Sequence, residues 1–386
     1  MRSVLEDCCS SSDSLRHARE LQTGSESLAF STDVPSYKIH EARNTEEYQG
    51  VTMNETQTTL NRAGSSPRKV PIQERSVLVG DIIVVNGHGI NRAALIRRFA
   101  EGGYHARETP HFLLFTRSEM PATILVHRFS PDELDADIKH YVTLELKPLG
   151  IVDRAQRFGE ILAGIVGSFF PEDVRRAWSY FGANTLQRFL IYLSTVSTPP
   201  APEYTSIGSF ATQYQRVCEL CTGKTFLDAG CESGFLPLLI AERIPFMKQV
   251  VGLDIRPDLF DVVRGLARER NLTNVEFMQA DLLAPDFAQL GQFDTVTALG
   301  VIEHFPEEDM YRVLANLLAV TAQRLIVMVP YENEPEPVYG HEQTFTRSKL
   351  EAVGQWCLEQ LKGAGSIWLE ECVGGLLLIE RTHPEQ

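Results

Sequence analysis

Four carboxylates follow apolar runs between residues 228 and 303: Asp228, Asp254, Asp281 and Glu303. An acid placed just past such a run can accept hydrogen bonds from hydroxyls and amines or balance a positive charge. The first lies in "LDAGCESG" (Leu227–Gly234), where Gly230 and Gly234 allow a tight turn and a close approach by a ligand, since neither carries a Cβ. His304 is adjacent to Glu303, and His341 lies in a later acidic stretch, "VPYENEPEPVYGHEQTFT". Histidine exchanges a proton near neutral pH, so both are candidate bases. This set of residue types suits a polar, cationic ligand held beside groups that move protons.

The elements that must position these residues alternate regularly. Strand-like runs occur at Thr225–Asp228, Val250–Asp254, Val275–Gln279, Phe293–Leu299, Leu325–Pro330, Ser366–Glu370 and Leu376–Glu380. Helical runs fall between them at Phe235–Arg243, Pro257–Arg270, a short one near Ala284–Leu290, and Glu307–Val320. A longer one, Arg347–Lys362 behind a Thr346 cap, precedes the last two strands. Such alternation predicts an α/β fold with a mainly parallel sheet covered on both faces. Ligands of such sheets sit beyond the carboxyl ends of the strands, where the strand order reverses. There Asp254 can accept both hydroxyls of a ribose.

A dinucleotide loop would need G-x-G-x-x-G to seat its pyrophosphate on a helix N-terminus. This chain has Gly230, Glu232 and Gly234, and a central carboxylate would repel a pyrophosphate. A ligand that carries a cation and an amino group but no phosphates fits an acidic loop better.

Residues 201 to about 381 resemble a class I S-adenosylmethionine-dependent methyltransferase, whose first motif has the form D-x-G-C-G-x-G. Asp228, Gly230, Cys231 and Gly234 stand in register with it, and Glu232 departs from it where a glycine usually stands. The resemblance implies a Rossmann-like seven-stranded sheet and S-adenosyl-L-methionine as cofactor. It implies a cofactor pocket built from Asp228, Gly230, Cys231, Gly234, Asp254, Ile255, Asp281, Leu282, Leu299 and Gly300, with Asp281 on the adenine amine and Leu282 packed on the ring. It also puts Glu303 and His304 at the methyl-acceptor pocket, and a G-H-x-x-x-F-T loop such as the one holding His341 is familiar from members acting on small molecules. His304, His341 and Glu303 are therefore the candidate catalytic residues. Mg²⁺ would suit the loop's oxygen ligands and could polarise an acceptor hydroxyl, but no metal site is assigned from the sequence. The N-P-P-Y tetrapeptide that marks methylation of base or glutamine amines in this family is replaced here by "LGVIEH". The expected activity is O-methylation of a small molecule, a specialised metabolite such as a sugar or polyketide hydroxyl. The alternatives are N- or C-methylation of a small molecule, or an inactive methyltransferase-fold scaffold.

The 386 residues are enough for two domains. Residues 1–72 are rich in Ser, Thr, Glu, Asn and Gln, and read as a disordered tail. Residues 73–198 read as a smaller α+β domain with helical additions, followed by a linker, "VSTPPAPEY" (Val196–Tyr204), and then the 201–386 domain. In the smaller domain "SVLVGDIIVVNG" (Ser76–Gly87) reads as strand, and "SPDELDADIKHYVTLELKPLG" as a helical stretch opened by a serine cap. This domain could cover the acceptor or form a homodimer contact.

A net charge of −15 argues against nucleic acid as a partner. No run of apolar residues is long enough to span a membrane, and the serine- and acid-rich start lacks the apolar core of a signal peptide. A cytoplasmic setting is expected, in keeping with seven irregularly spaced cysteines. The lone "CELC" (Cys218, Cys221) lacks the second half of a zinc site.

Overall fold

A computed structural model describes residues 75–118, 120–195 and 205–382. The expected tail (1–72) and linker (196–204) lie outside the described residues. The described residues belong to one compact unit.

The first sheet holds β1 (Ser76–Val79), β2 (Ile82–Asn86), β3 (His105–Glu108), β4 (Phe112–Arg117) and β5 (Met120–His127), in the order β1-β2-β5-β4-β3. Helix α1 (Arg92–Glu101) connects β2 to β3 and is capped by the Asn91 side chain, which accepts from the Ala94 N–H. The run 76–87, expected as one strand, is two. Gly80, at φ 58, turns the chain so that Val79 pairs with Ile82.

The stretch after Ser130 is also broken. It forms a 3₁₀ turn (Pro131–Glu133), helix α2 (Asp137–Tyr141) and a π-helical turn (Val142–Leu146) that continues α2. We call residues 137–147 the strap. Helices α3 (Ala155–Gly167), α4 (Val174–Thr195) and α5 (Ser206–Leu220) follow.

The second sheet contains β6 (Thr225–Ala229), β7 (Gln249–Asp254), β8 (Val275–Gln279), β9 (Phe293–Leu299), β10 (Thr321–Val329), β11 (Gly365–Glu371) and β12 (Gly375–Arg381). Their order is β11-β12-β10-β9-β6-β7-β8. Strands β8, β7, β6, β9 and β10 are parallel, and β12 runs antiparallel to β10 and β11. The chain builds outward from β6 through β7 to β8, then returns to β6's other side as β9. The reversal therefore falls at the ends of β6 and β9, the point where such sheets open a crevice. The inner strands are apolar because both faces are covered. Covering them are α6 (Phe235–Arg243), α7 (Phe260–Glu269), α8 (Glu307–Val320) and α9 (Arg347–Gln360).

Several boundaries differ from the sequence reading for local reasons. Strand β10 starts at Thr321 because α8 ends at Val320 and passes into it without a loop. Helix α7 begins at Phe260 because Pro257–Leu259 form a turn, with the Phe260 N–H donating to the Pro257 carbonyl. The short helix near Ala284–Leu290 is a 3₁₀ turn at Phe287–Leu290.

One apolar core joins the two sheets. Ile82, Val84, Ile138, Ile165, Phe181 and Phe189 pack in the same cluster as Cys231, Phe235, Leu238 and Phe260. The strap is held within this arrangement, so its position relative to β6 and β7 is fixed by packing.

Candidate active site

The glycine loop is shaped by two close approaches. Gly230 has φ 80 and Gly234 φ 68, values that favour glycine. A Cβ on Gly230 would lie 2.6 Å from Val301 Cγ2, and one on Gly234 would lie 2.5 Å from Phe277 Cε1. The loop thus sits directly against the start of the segment that carries Glu303.

Two acids flank this loop in different states. Asp228 is buried, and its Oδ1 accepts a 2.7 Å hydrogen bond from the Thr297 hydroxyl, which pairing of β6 with β9 sets opposite it. Burial, with a contribution from nearby Asp254, pushes the Asp228 carboxyl up to about 7. Asp254 ends β7, and its two oxygens accept the backbone N–H groups of Glu232 and Arg256, each at 2.8 Å. Each carboxylate oxygen can accept about two hydrogen bonds, so the pair retains capacity for two hydroxyls. This fits a ribose diol.

Ile255 is exposed next to Asp254, and Leu282 is buried at the end of β8. Asp281 is exposed, and its Oδ1 accepts from the Leu283 N–H at 2.8 Å, an arrangement that fixes the turn after β8. Cys231 is buried under the loop, where burial raises its thiol well above the usual range and keeps it protonated. Leu299 ends β9, and the Gly300 N–H donates to the Met328 carbonyl at 2.9 Å.

Glu303, His304 and His341 come together. A 3₁₀ turn over Ile302–His304 carries the first two, and the loop after β10 brings in the third, pinned by Glu342 N–H donating to the Glu303 carbonyl at 2.9 Å. The His304 and His341 ring centroids are 5.0 Å apart. One ligand-capable atom from each of the three residues lies within 4.8 Å of the other two, so this trio could hold a cation. Glu303 is 1% exposed, and its Oε2 has no hydrogen-bond partner. Burial, with nearby Glu332 adding to it, pushes its carboxyl up to about 8.

The two histidines are oriented for base chemistry. His304 Nδ1 faces the Gly340 carbonyl at 3.2 Å, and His341 Nδ1 faces Glu332 Oε2 at 2.8 Å. Each partner only accepts, so Nδ1 is the donor in both contacts. Desolvation, together with the neighbouring His341, holds His304 below the usual histidine range, which favours the neutral, basic ring.

The strap covers this arrangement, a feature the sequence reading missed. Lys139, Thr143 and Lys147 form one stripe at four-residue spacing. Lys139 Nζ donates to Glu232 Oε1 at 2.6 Å, Thr143 Oγ1 and the Tyr339 hydroxyl are 3.0 Å apart, and Lys147 pairs with Glu336. The opposite stripe anchors the strap elsewhere: Asp137 to Arg188 and the Ile207 N–H, Tyr141 stacked on His111 at 3.9 Å, and Glu145 to His111. The four-residue repeat of polar residues was the available signal. Glu232, the odd residue of the glycine loop, reaches the strap at Lys139.

Residues 226–324 match the family model described as a methyltransferase domain. The C-terminal part of the chain is a class I methyltransferase domain. Its first strand, glycine loop and the Glu303–His304 turn all lie in the matched segment. Demethylmenaquinone methyltransferase of Porphyromonas gingivalis is 35% identical over 105 residues, 26% of this chain and 42% of that protein. Ubiquinone biosynthesis O-methyltransferase of Acinetobacter baumannii is 34% identical over 85 residues, 22% of this chain and 35% of that protein. The chain thus spans less than half the length of these curated relatives. A solved O-methyltransferase family protein from Burkholderia thailandensis is 16% identical, covering 76% of this chain and 84% of that one at a TM-score of 0.40. Among the described residues of the methyltransferase domain and its neighbour, no helix is long and apolar enough to cross a membrane.

Proposed function

We propose that the chain is an S-adenosylmethionine-dependent methyltransferase that acts on a hydroxyl of a small molecule. The observation that carries this reading is the meeting of two histidines with Glu303, each histidine holding its Nδ1 on a hydrogen-bond acceptor. When bound, S-adenosylmethionine would supply a methyl carbon already activated by its sulfonium. Asp254 would hold the ribose hydroxyls, Gly230 and Gly234 would leave room for the amino-acid portion, and Leu282 with Ile255 would flank the adenine.

On the acceptor side, His341 or His304 would take the hydroxyl proton on Nε2 as the acceptor oxygen bonds to the methyl carbon. The C–S electron pair leaves with sulfur, and the proton stays on the imidazole. Alignment is the larger contribution, because reacting atoms held in line need little further activation. Glu332 would stabilise the imidazolium formed on His341. Two relatives named for quinone-pathway methylation are consistent with a small acceptor, as is the chain's acidic charge. A specialised metabolite such as a sugar or polyketide is the proposed acceptor class, in a cytoplasmic setting.

Glu303 favours one addition. Glu303 has one carboxylate oxygen without a partner, and one of its oxygens lies within 4.8 Å of a nitrogen of each histidine, a mixed oxygen and nitrogen set. Such a set suits Zn²⁺ or Mn²⁺ better than Mg²⁺, which prefers oxygen. A divalent ion there would occupy the ring nitrogens' lone pairs and would polarise the acceptor hydroxyl in place of a histidine base.

The test is transfer of labelled methyl from S-adenosylmethionine to a panel of hydroxylated aromatics, sugars and polyketides, with EDTA or with each cation added. Label on an oxygen supports the reading. Label only on nitrogen or carbon moves the assignment to the corresponding methyltransferase. No transfer to any acceptor, despite cofactor binding, favours a scaffold.

A further inference from the structure

Glu232 stands where this family of loops usually has glycine, and it adopts the backbone conformation that glycine would, with φ 44. For a residue with a Cβ that conformation costs on the order of 1–3 kcal/mol. It persists because Glu232 is held at both ends. Its N–H donates to Asp254 Oδ2 at 2.8 Å, and its carboxylate accepts from Lys139 Nζ at 2.6 Å. The Lys139 side chain is 15% exposed and the Glu232 side chain 52%, so the lysine end is the more enclosed part of a pair that still meets solvent.

The connection continues along the strap. Thr143 Oγ1 contacts the Tyr339 hydroxyl, and Lys147 pairs with Glu336, both within the loop that carries His341. A single run of contacts therefore leads from the carboxylate proposed to hold the ribose, through Glu232 and Lys139, to the acceptor loop. The opposite stripe of the strap is bonded to Arg188 and stacked on His111, so it anchors the strap to the rest of the fold.

We propose that Lys139 and Glu232 are a positioning pair that couples occupancy of the cofactor groove to seating of the strap over the acceptor loop. The inference rests on the S-adenosylmethionine reading above. Seating the ribose on Asp254 fixes the Glu232 peptide, which fixes the carboxylate that Lys139 grips. The strap, already seated on the acceptor loop in the structure, is then held more tightly once the cofactor is in place. Glu232 is thereby a residue with a task, and the departure from glycine is its signature.

The experiment is hydrogen–deuterium exchange of the full chain with and without near-saturating S-adenosylhomocysteine, alongside titration calorimetry. The wild type, Lys139→Met, Glu232→Gln and the charge-swapped pair Lys139→Glu with Glu232→Lys are compared. In the wild type the ligand should slow exchange over residues 137–147 by about tenfold, within the usual range of coupling between sites. In Lys139→Met and Glu232→Gln that protection should largely vanish. Because coupling is reciprocal, Lys139→Met should weaken ligand affinity by about tenfold at most. The swapped pair should regain part of the protection, which a merely damaged fold would not. Wild-type binding with no change over 137–147, or equal protection in Lys139→Met, overturns the coupling and leaves the methyltransferase reading standing. No binding by the wild type overturns both.

Discussion

His341 Nδ1 lies 2.8 Å from Glu332 Oε2, two residues of one loop nine positions apart, and that contact decides which ring nitrogen is basic. One nitrogen of His341 also lies within 4.8 Å of a Glu303 oxygen and a His304 nitrogen. His304 reaches the same state by another route, since its Nδ1 meets the Gly340 carbonyl.

If either ring is the base, His341→Ala or His304→Ala should lose about 10²–10⁴ in turnover, the usual contribution of a positioned general base. Affinity for S-adenosylhomocysteine should stay near that of the wild type. Glu332→Gln should retain part of the activity, because an amide oxygen can still accept from Nδ1. Single-turnover rates with saturating cofactor check this. Full turnover in a histidine variant removes that histidine from the mechanism.

Gly230→Ala should be costly twice over. Its φ of 80 is unfavourable for alanine, and the added Cβ would meet Val301 Cγ2 at 2.6 Å. A loss of roughly 1–3 kcal/mol in stability is expected, along with loss of cofactor binding. Urea unfolding with and without S-adenosylhomocysteine reads both. Wild-type stability would mean that the loop adapts more readily than its geometry implies.

Asp228 makes stability depend on pH. Its carboxyl is raised from 3.8 to about 7 by burial in the folded state. The folded state therefore holds a proton that the unfolded chain releases between those values. The stabilisation is fully present below pH 3.8, and it is lost as pH rises toward about 7. Asp228→Asn, which can still accept from Thr297, should remove this slope. Relative to the wild type it should gain on the order of 2–4 kcal/mol between pH 4 and pH 8. Denaturation midpoints of the two proteins across that range give the answer, and parallel curves would remove Asp228 as the source. Asp135, also raised to about 6 by burial, acts in the same window but cancels in the comparison.

The sequence carried the methyltransferase domain's architecture because its elements are strongly periodic and its strand ends are marked by acids. The strand ends at Asp254 and ahead of Glu303–His304 follow from strand alternation, and the role expected of Glu303 and His304 follows from the resemblance to the methyltransferase family. The smaller domain was harder to read. One glycine at position 80 divides what looks like a single strand, and an α-to-π transition at Val142 hides in an ordinary helical pattern. Local pattern also says nothing about contacts across long separations. Lys139 and Glu232 are 93 positions apart, so the partner of the unusual loop residue could not be read from either segment. Cys218 and Cys221 fall at the end of α5 and just past it, half-buried. Burial raises the Cys218 thiol to about 11, so it stays protonated near neutral pH.

Calorimetric titration of the full chain with S-adenosylmethionine and S-adenosylhomocysteine tests the central claim most directly. One site of micromolar affinity is predicted. In Asp254→Ala the affinity should fall by about 1–3 kcal/mol, the worth of hydrogen bonds to a charged acceptor. No binding of either ligand to the wild type would contradict the account and leave a methyltransferase fold that serves another purpose.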